Sequence, residues 1–588
     1  MIRKSEIKID ETKDNLFDIF GMRRLKDGYL KPTEKSPQER FSFVARTFGS
    51  NPDHARRLYG YFSEHWLSLS TPLLSYGLTK KGLPISCYLS YIPDTSAGLL
   101  DSLEEVCALS MYGGGVGLGV GIRAEDDKSV GVMPHLKVYE AASLAYRQGT
   151  TRRGTFAAYL DISHPNVVQH IEMRKETGDH NMRCQELHHA LNIPDAFMEL
   201  VEKKMLDAGF DDSWPLIDPH SKEVREVVSA SSLWMLVMQT RMETGEPFIH
   251  WLDGSNRALP QFLKDKGLEI KQSNICTEIT LPTNDDRTAI CCISSLNLDY
   301  WDKWKDNYQF YKDTAEMLDN ALNIFIKKAS RRVKRAILSA KRERSIGVGA
   351  LGFHSLLQSK GIPFESALAA SLNKQIFSRY KTYLEKANQE LGKERGEAPD
   401  AEGTGKRFSH LIAIAPNATS SIIMGNTSPS IEPFRSNGYR QDTLSGYHIH
   451  KNRHLDKILK KKLKTKEYEK VWHSIVVNKG SCQHLDCLDD YEKDIFKTAT
   501  ELEQLWLVEH AAERQAYIDQ AQSLNLFFHP TVDVKYLHHI HFSAWKANLK
   551  TLYYCRSGRI FGGNAVSKTS VKFSYNIKDL EEGCLSCE

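Results

Sequence analysis

The chain ends in Cys584-Leu585-Ser586-Cys587. Two thiols at that spacing can close a small disulfide, and a terminal position leaves them accessible to exchange. The competing reading is half of a zinc site, which needs two further ligands. Cys482, His484 and Cys487, or His538, His539 and His541, or His448, His450 and His454 are available, but none makes a regular ligand spacing with the tail. A second group is Asn274-Ile275-Cys276-Thr277-Glu278. If that run is extended, Asn274, Cys276 and Glu278 share one side, because strand side chains alternate. A thiol, a carboxylate that can act as general base and an amide that can hold a diol then lie together. The competing reading is an ordinary polar strand end.

Three weaker signals accompany these. The run Gly113-Gly114-Gly115-Val116-Gly117-Leu118-Gly119-Val120-Gly121 lets backbone approach a ligand closely. It is no phosphate-binding P-loop, since no Gly-Lys-Ser/Thr follows, and β-like residues rather than a helix come after it. Pro416-Asn417-Ala418-Thr419-Ser420-Ser421 places small hydroxyls before a possible helix start, which suits phosphate oxygens or a simple capping turn. Tyr553-Tyr554 is an adjacent aromatic pair of the kind that usually fills core and rim.

The elements that must hold these groups read as α/β. Short apolar runs at 85–92, 115–122, 156–162, 188–193, 289–298, 345–353 and 410–416 alternate with helical segments, which argues for parallel strands. Helices are expected around Phe41 to Trp66, with Ser36 as cap and Pro37 in the first turn, and at Ser366–Leu391, Leu455–Val476 and Leu502–Gln522. Residues 1–70 read as a helical lead-in, 71–560 as the main domain and 561–588 as a mobile tail.

Composition is that of an ordinary globular chain: 588 residues, 41% apolar and 26% charged. Lys plus Arg is 78 against 74 Asp plus Glu, and a net +4 spread over this length implies no nucleic acid. The basic runs at 327–344 and 457–470 read as solvated helix faces. No stretch approaches the ~18 apolar residues of a membrane helix, and the charged N-terminus is no signal peptide. A cytoplasmic protein is expected. Its 11 cysteines are then reduced thiols, and those with functions are ligands, nucleophiles or redox pairs.

In their order along the chain, STP at 70–72, ISC at 85–87, GGGVGLGVGIR at 113–123, NICTE at 274–278, AICCISSLNL at 289–298, PNATSS at 416–421, LYY at 552–554 and the CLSC tail are similar to the catalytic (large, α) subunit of class I ribonucleotide reductase. The resemblance covers about residue 65 to the end. It implies a ten-stranded α/β barrel of two antiparallel halves, each of five parallel strands, with a cysteine-bearing loop inside. It implies reduction of ribonucleoside diphosphates to deoxyribonucleoside diphosphates by a thiyl radical. Cys276 matches the radical cysteine, Glu278 the base for the 3′ hydroxyl and Asn274 the amide on the ribose hydroxyls. Cys87 and Cys291 match the pair that ends as a disulfide; of the doublet, Cys291 stands six residues before Asn297 as the motif requires. Cys584 and Cys587 match the tail thiols that reduce it, recharged by thioredoxin or glutaredoxin. Tyr553 and Tyr554 match the stacked pair relaying oxidation from a small β subunit, which carries the metal or radical cofactor. None is expected bound in this chain, nor a metal.

Thr419, Ser420, Ser421, Pro416, Thr71, Ser86 and Gly115 match the substrate-binding positions, with Ala418 where many relatives carry glutamate. Asp94, Arg123, Gln148 and Arg152 match the site for an effector deoxynucleotide or ATP at an α-dimer interface, with Arg153 as an alternative to Arg152. The span before Thr71 is too short for the N-terminal ATP-cone of many relatives, so no shutdown by dATP through such a domain is expected. The cobalamin-dependent class has no need of the tyrosine pair. Arg435-Ser436-Asn437-Gly438-Tyr439 resembles a glycyl-radical motif but lies far from the terminus. A zinc hydrolase lacks an HExxH-like motif.

Overall fold

The computed structural model describes residues 2–79, 82–146, 154–443 and 446–557. Its centre is a ring of strands. Leu67–Leu69 forms β1, Cys87–Ile92 β2, Gly115–Val120 β3, Thr155–Asp161 β4, His188–Ile193 β5 and Phe248–Trp251 β6. Ala289–Asn297 forms β7, Ile346–Leu351 β8, Leu526–Phe528 β9, Thr551–Leu552 β10 and Cys555–Ser557 β11. Strands β2 to β6 pair in parallel, in chain order. At one seam β7 pairs antiparallel with β2, and at the other β10 pairs antiparallel with β6. Beyond the first seam β8 runs parallel to β7, and β9 runs parallel to β11.

The gap between β8 and β9 is bridged by residues 410–416. The Ile346 and Val348 amides donate to the His410 and Leu411 carbonyls, and Ile414 makes a parallel bridge to Gln522. The Tyr553 amide donates to the Leu524 carbonyl and so completes the circuit. Two halves meeting antiparallel at both seams match the α/β barrel implied by the resemblance, though not as a regular set of ten strands. The run at 410–416 is extended but bonded too sparsely to be a regular strand. β1 lies alongside the later half of β7, continuing the edge that β2 begins.

Strand parity sorts the side chains. Cys87 and Leu89, Ala157 and Tyr159, Ala190, Phe248, and Ala289, Cys291 and Ile293 form one buried cluster inside the ring, together with Ile275, Cys276 and Tyr553. Their alternates, among them Tyr88, Phe156, Ala158, Leu191, Ile249, Ile290 and Cys292, pack outward against the helices. Both faces are buried, which is why these strands read as nearly unbroken apolar runs.

The glycines of β3 are explained by what lies inside. Val116 and Leu118 are outward. A Cβ on inward Gly117 would stand 2.0 Å from the Ser273 carbonyl oxygen and 2.8 Å from the Asn274 Cα. The segment before Cys276 is pressed against bare backbone. Gly117→Ala is therefore expected to cost about 1–3 kcal/mol, since main chain must move. Gly119→Ala meets the Gln272 side chain instead and is expected to lower the melting temperature less; thermal melts of the two variants compare them directly.

Helices follow their local signals with three corrections. The region Phe41 to Trp66 is two helices, Pro37–Phe48 (α1) and Pro52–Ser63 (α2), broken at Gly49-Ser50-Asn51 and restarted by an Asn51 cap; Ser36 caps α1 as expected. Leu455–Val476 is also two, Arg453–Lys462 and Thr465–Val477. The helix expected over Leu502–Gln522 spans only Gln504–Gln515. Residues 520–525 are drawn into the barrel wall, where the main chain of Gln520 and Ser523 donates to Ile412 and Ile414. Tertiary hydrogen bonding there outweighs helix propensity.

Candidate active site

The loop bearing Cys276 enters the barrel and turns at its tip. The Thr277 amide donates to the Asn274 carbonyl at 3.2 Å, and Thr277 has φ +70°. This corrects the expectation of an extended Asn274–Glu278: the three side chains are brought together by a turn, not by strand alternation. Asn274 helps to hold that turn. Its Oδ1 accepts from the Ile279 amide at 3.0 Å, and its carbonyl accepts from the Tyr159 hydroxyl at 2.5 Å. Asn274, Cys276 and Glu278 are all fully buried.

Ser523, not singled out by sequence, sits beneath the turn. Its hydroxyl donates to the Cys276 carbonyl at 2.5 Å and lies 3.0 Å from Glu278 Oε2. The Ala521 amide donates to the Glu278 carbonyl at 2.9 Å. The segment following Gln520 therefore sets the height of both the thiol and the carboxylate. No motif marked it, because its contribution is made largely by main chain and one small hydroxyl.

Cys276 Sγ lies 3.4 Å from the Tyr553 hydroxyl. The Tyr553 and Tyr554 rings are 4.3 Å apart between centroids and tilted by 54°, rather than stacked flat as the resemblance implies. Phe248 contacts both rings, at 4.6 and 4.9 Å. The Arg556 guanidinium lies over the Tyr554 ring at 3.9 Å. Arg241, buried on the helix Ala230–Thr244, donates to the Tyr553 carbonyl at 2.9 Å and to His541 Nε2 at 3.0 Å. Burial lowers its pKa to about 10 and holds His541 neutral, well below the ordinary imidazole value. A neutral His541 whose Nδ1 faces the Leu537 carbonyl has Nε2 available as acceptor for Arg241.

Cys87 and Cys291 are register partners across the antiparallel seam of β2 and β7. Cys291 belongs to the interior cluster and Cys292 to the outer one, so parity separates the doublet. Burial pushes the Cys291 thiol well above its usual pKa. Gln520 Nε2 donates to its sulfur at 3.6 Å.

Thr419, Ser420 and Ser421 are buried in the short helix Ala418–Ile423, preceded by Asn417 in the left-handed region and by Pro416. The helix Ile19–Gly28 packs on it, and Arg24 reaches Thr419 Oγ1 at 3.4 Å. Tyr29, capping that helix, is 3.0 Å from Thr71 Oγ1. The N-terminal region thus spans two of the expected phosphate positions and adds a cation. Ser86 Oγ lies 3.3 Å from Cys87 Sγ, and its carbonyl accepts from the Gly115 amide at 2.7 Å. Asp94 and Arg123 form an ion pair at 2.6 Å. Gln148, Arg152, Cys584 and Cys587 lie outside the described residues. Among the described residues the metal-capable side chains that converge are His54, Asp313 and Glu316, and the guanidiniums of Arg57 and Arg395 already pair with the two carboxylates.

Fold and site together define a barrel enzyme that carries a buried thiol on an internal loop, with a second pair of thiols in the wall. The family model for the ribonucleotide reductase barrel domain matches residues 85–404 and 399–555, and that for the all-alpha domain matches residues 15–82. The chain belongs to the ribonucleotide reductase family. It is 50% identical to the ribonucleoside-diphosphate reductase large subunit of Invertebrate iridescent virus 3, over 99% of this chain and 100% of the relative. A putative large subunit from Frog virus 3 is 44% identical, over 92% and 93%. Among solved structures, the Actinobacillus ureae class Id ribonucleotide reductase alpha subunit has a TM-score of 0.80 at 33% identity, covering 92% of this chain and 97% of that one.

Proposed function

We propose that this chain is the catalytic subunit of a ribonucleoside-diphosphate reductase and that Cys276 is its hydrogen-abstracting thiol. The observation that carries the reading is the 3.4 Å approach of Cys276 Sγ to the Tyr553 hydroxyl inside the barrel. An oxidising equivalent from a separate small subunit would pass through Tyr554 and Tyr553 to leave a thiyl radical on Cys276. That radical takes the hydrogen from the ribose 3′ carbon while Glu278 accepts the 3′ hydroxyl proton and Asn274 holds the diol. The 2′ hydroxyl leaves as water with a proton from the Cys87–Cys291 pair. The pair supplies two electrons and becomes a disulfide, and Cys276 returns its hydrogen to the 3′ carbon. Cys584 and Cys587 would reduce that disulfide by exchange and be recharged by thioredoxin or glutaredoxin.

Thr71, Ser86, Gly115, Pro416, Thr419, Ser420 and Ser421 would hold the diphosphate, joined by Arg24. The helices Ser96–Met111 and Val132–Ala145 expose Leu100, Met111, Val138 and Leu144. This apolar face supports an α dimer, with an effector dNTP or ATP held near Asp94, Arg123, Gln148 and Arg152. No helix among the described residues is long and apolar enough to cross a membrane; a cytoplasmic location is part of this reading.

The test is CDP reduction by the purified chain with dithiothreitol and ATP, with and without the cognate small subunit. Turnover that requires the small subunit supports the reading. Turnover with cobalamin alone overturns the relay and makes the tyrosine pair structural.

A further inference from the structure

Cys291 is held more closely than its part in a thiol pair requires. The Gln520 carboxamide spends both its protons locally: Nε2 donates to Cys291 Sγ at 3.6 Å and to the Ile346 carbonyl at 3.0 Å. A carbonyl only accepts, so the Ile346 bond fixes which end of the amide faces the sulfur. The Gln520 backbone is pinned as well. Its amide donates to the Ile412 carbonyl, and its own carbonyl accepts from Lys550 Nζ at 2.6 Å and Gln515 Nε2 at 2.9 Å. The main chain also comes close, since a Cβ on Gly347 would stand 3.1 Å from Cys291 Sγ.

A deeply buried sulfur is a poor leaving group in thiol–disulfide exchange, because burial disfavours the thiolate. An N–H aimed at the sulfur is the feature that offsets this. We propose that Gln520 is a positioning residue for re-reduction: it stabilises the Cys291 thiolate released when an external thiolate attacks the Cys87 sulfur. This deepens the function proposed above and rests on Cys87 and Cys291 being the pair oxidised in turnover.

The step balances. The attacking dithiol's first sulfur bonds to Cys87 Sγ, the Cys87–Cys291 bond breaks, and its electron pair goes to Cys291 Sγ beneath the Gln520 N–H. The dithiol's second thiolate then attacks the mixed disulfide at the first sulfur and releases Cys87. Cys291 and Cys87 take up the two protons, and the dithiol leaves oxidised.

In holoenzyme carrying Cys584→Ser and Cys587→Ser, so that dithiothreitol itself must meet the wall pair, each second-order constant reports its own half: kcat/KM for CDP reports nucleotide reduction, and kcat/KM for dithiothreitol reports re-reduction. In that holoenzyme, Gln520→Leu is expected to lower kcat/KM for dithiothreitol about tenfold or more, the worth of a hydrogen bond to a charged group, while kcat/KM for CDP stays within about twofold. Pre-reduced variant without reductant should give the wild-type yield of dCDP per site in one turnover. If Gln520→Leu folds poorly, Gln520→Met keeps the length and removes the donor. Equal falls in both constants, or no fall in either, overturns the proposal. Absence of any single-turnover dCDP from wild-type holoenzyme overturns the underlying reading instead.

Discussion

Cys276→Ala is expected to bring nucleotide reduction to the assay background, a loss of at least about 10^4-fold, as removal of an essential reacting group does elsewhere. The chain should fold normally. Only one sulfur atom is lost, and the turn that carries it is held by main chain and by Asn274, Tyr159 and Ser523. Cys276→Ser is the sharper control. A serine can occupy the same turn and still hydrogen-bond to Tyr553, so a role in acid–base chemistry or packing would leave measurable turnover. A role in hydrogen abstraction would not, since a hydroxyl O–H is too strong a bond to be opened by oxidised tyrosine. The measurement is dCDP formation with small subunit present, beside nucleotide binding and a thermal melt. Residual activity of a few per cent in Cys276→Ser would overturn the radical assignment.

The barrel was legible where both faces of a strand are apolar. ISCYLSYI, FAAYLDI and HHALNI each gave a strand within a residue or two of its bounds, because a run buried on both sides is distinctive. Residues 248–251 were not marked as a strand, although Phe248 touches both tyrosines. Four residues following a helix carry too little periodicity to separate them from it. The site's reactive types were visible as types, but their arrangement was not. Asn274, Cys276 and Glu278 converge through a left-handed Thr277, which a residue-alternation argument cannot foresee. The glycine run was visible, and at Gly117 and Gly119 its cause is the loop that the strand admits. Gln520, Ser523, Arg241 and Arg24 act across hundreds of residues of sequence, and each belongs to a type common in helices and loops. Partners that distant leave no local spacing to read.

Tyr553→Phe removes one oxygen and almost nothing else. The ring keeps its contacts with Phe248 at 4.6 Å and Tyr554 at 4.3 Å, and its carbonyl keeps the Arg241 bond. If that hydroxyl were only a hydrogen-bond partner of Cys276, its loss would cost about 1 kcal/mol, roughly fivefold. If it is the last stop before the thiol, phenylalanine cannot be oxidised in its place. Turnover should then fall at least about 10^3-fold, equivalent to roughly 4 kcal/mol of barrier. The gap between fivefold and a thousandfold is wide enough for a steady-state assay to decide. CDP affinity should be unchanged, which separates a lost relay from a displaced loop. A chain that made its thiyl radical locally, with cobalamin, would tolerate Tyr553→Phe almost fully. Near-normal dCDP formation by the variant with small subunit present would therefore reject the tyrosine pair as the path and leave Cys276 to be oxidised by another route.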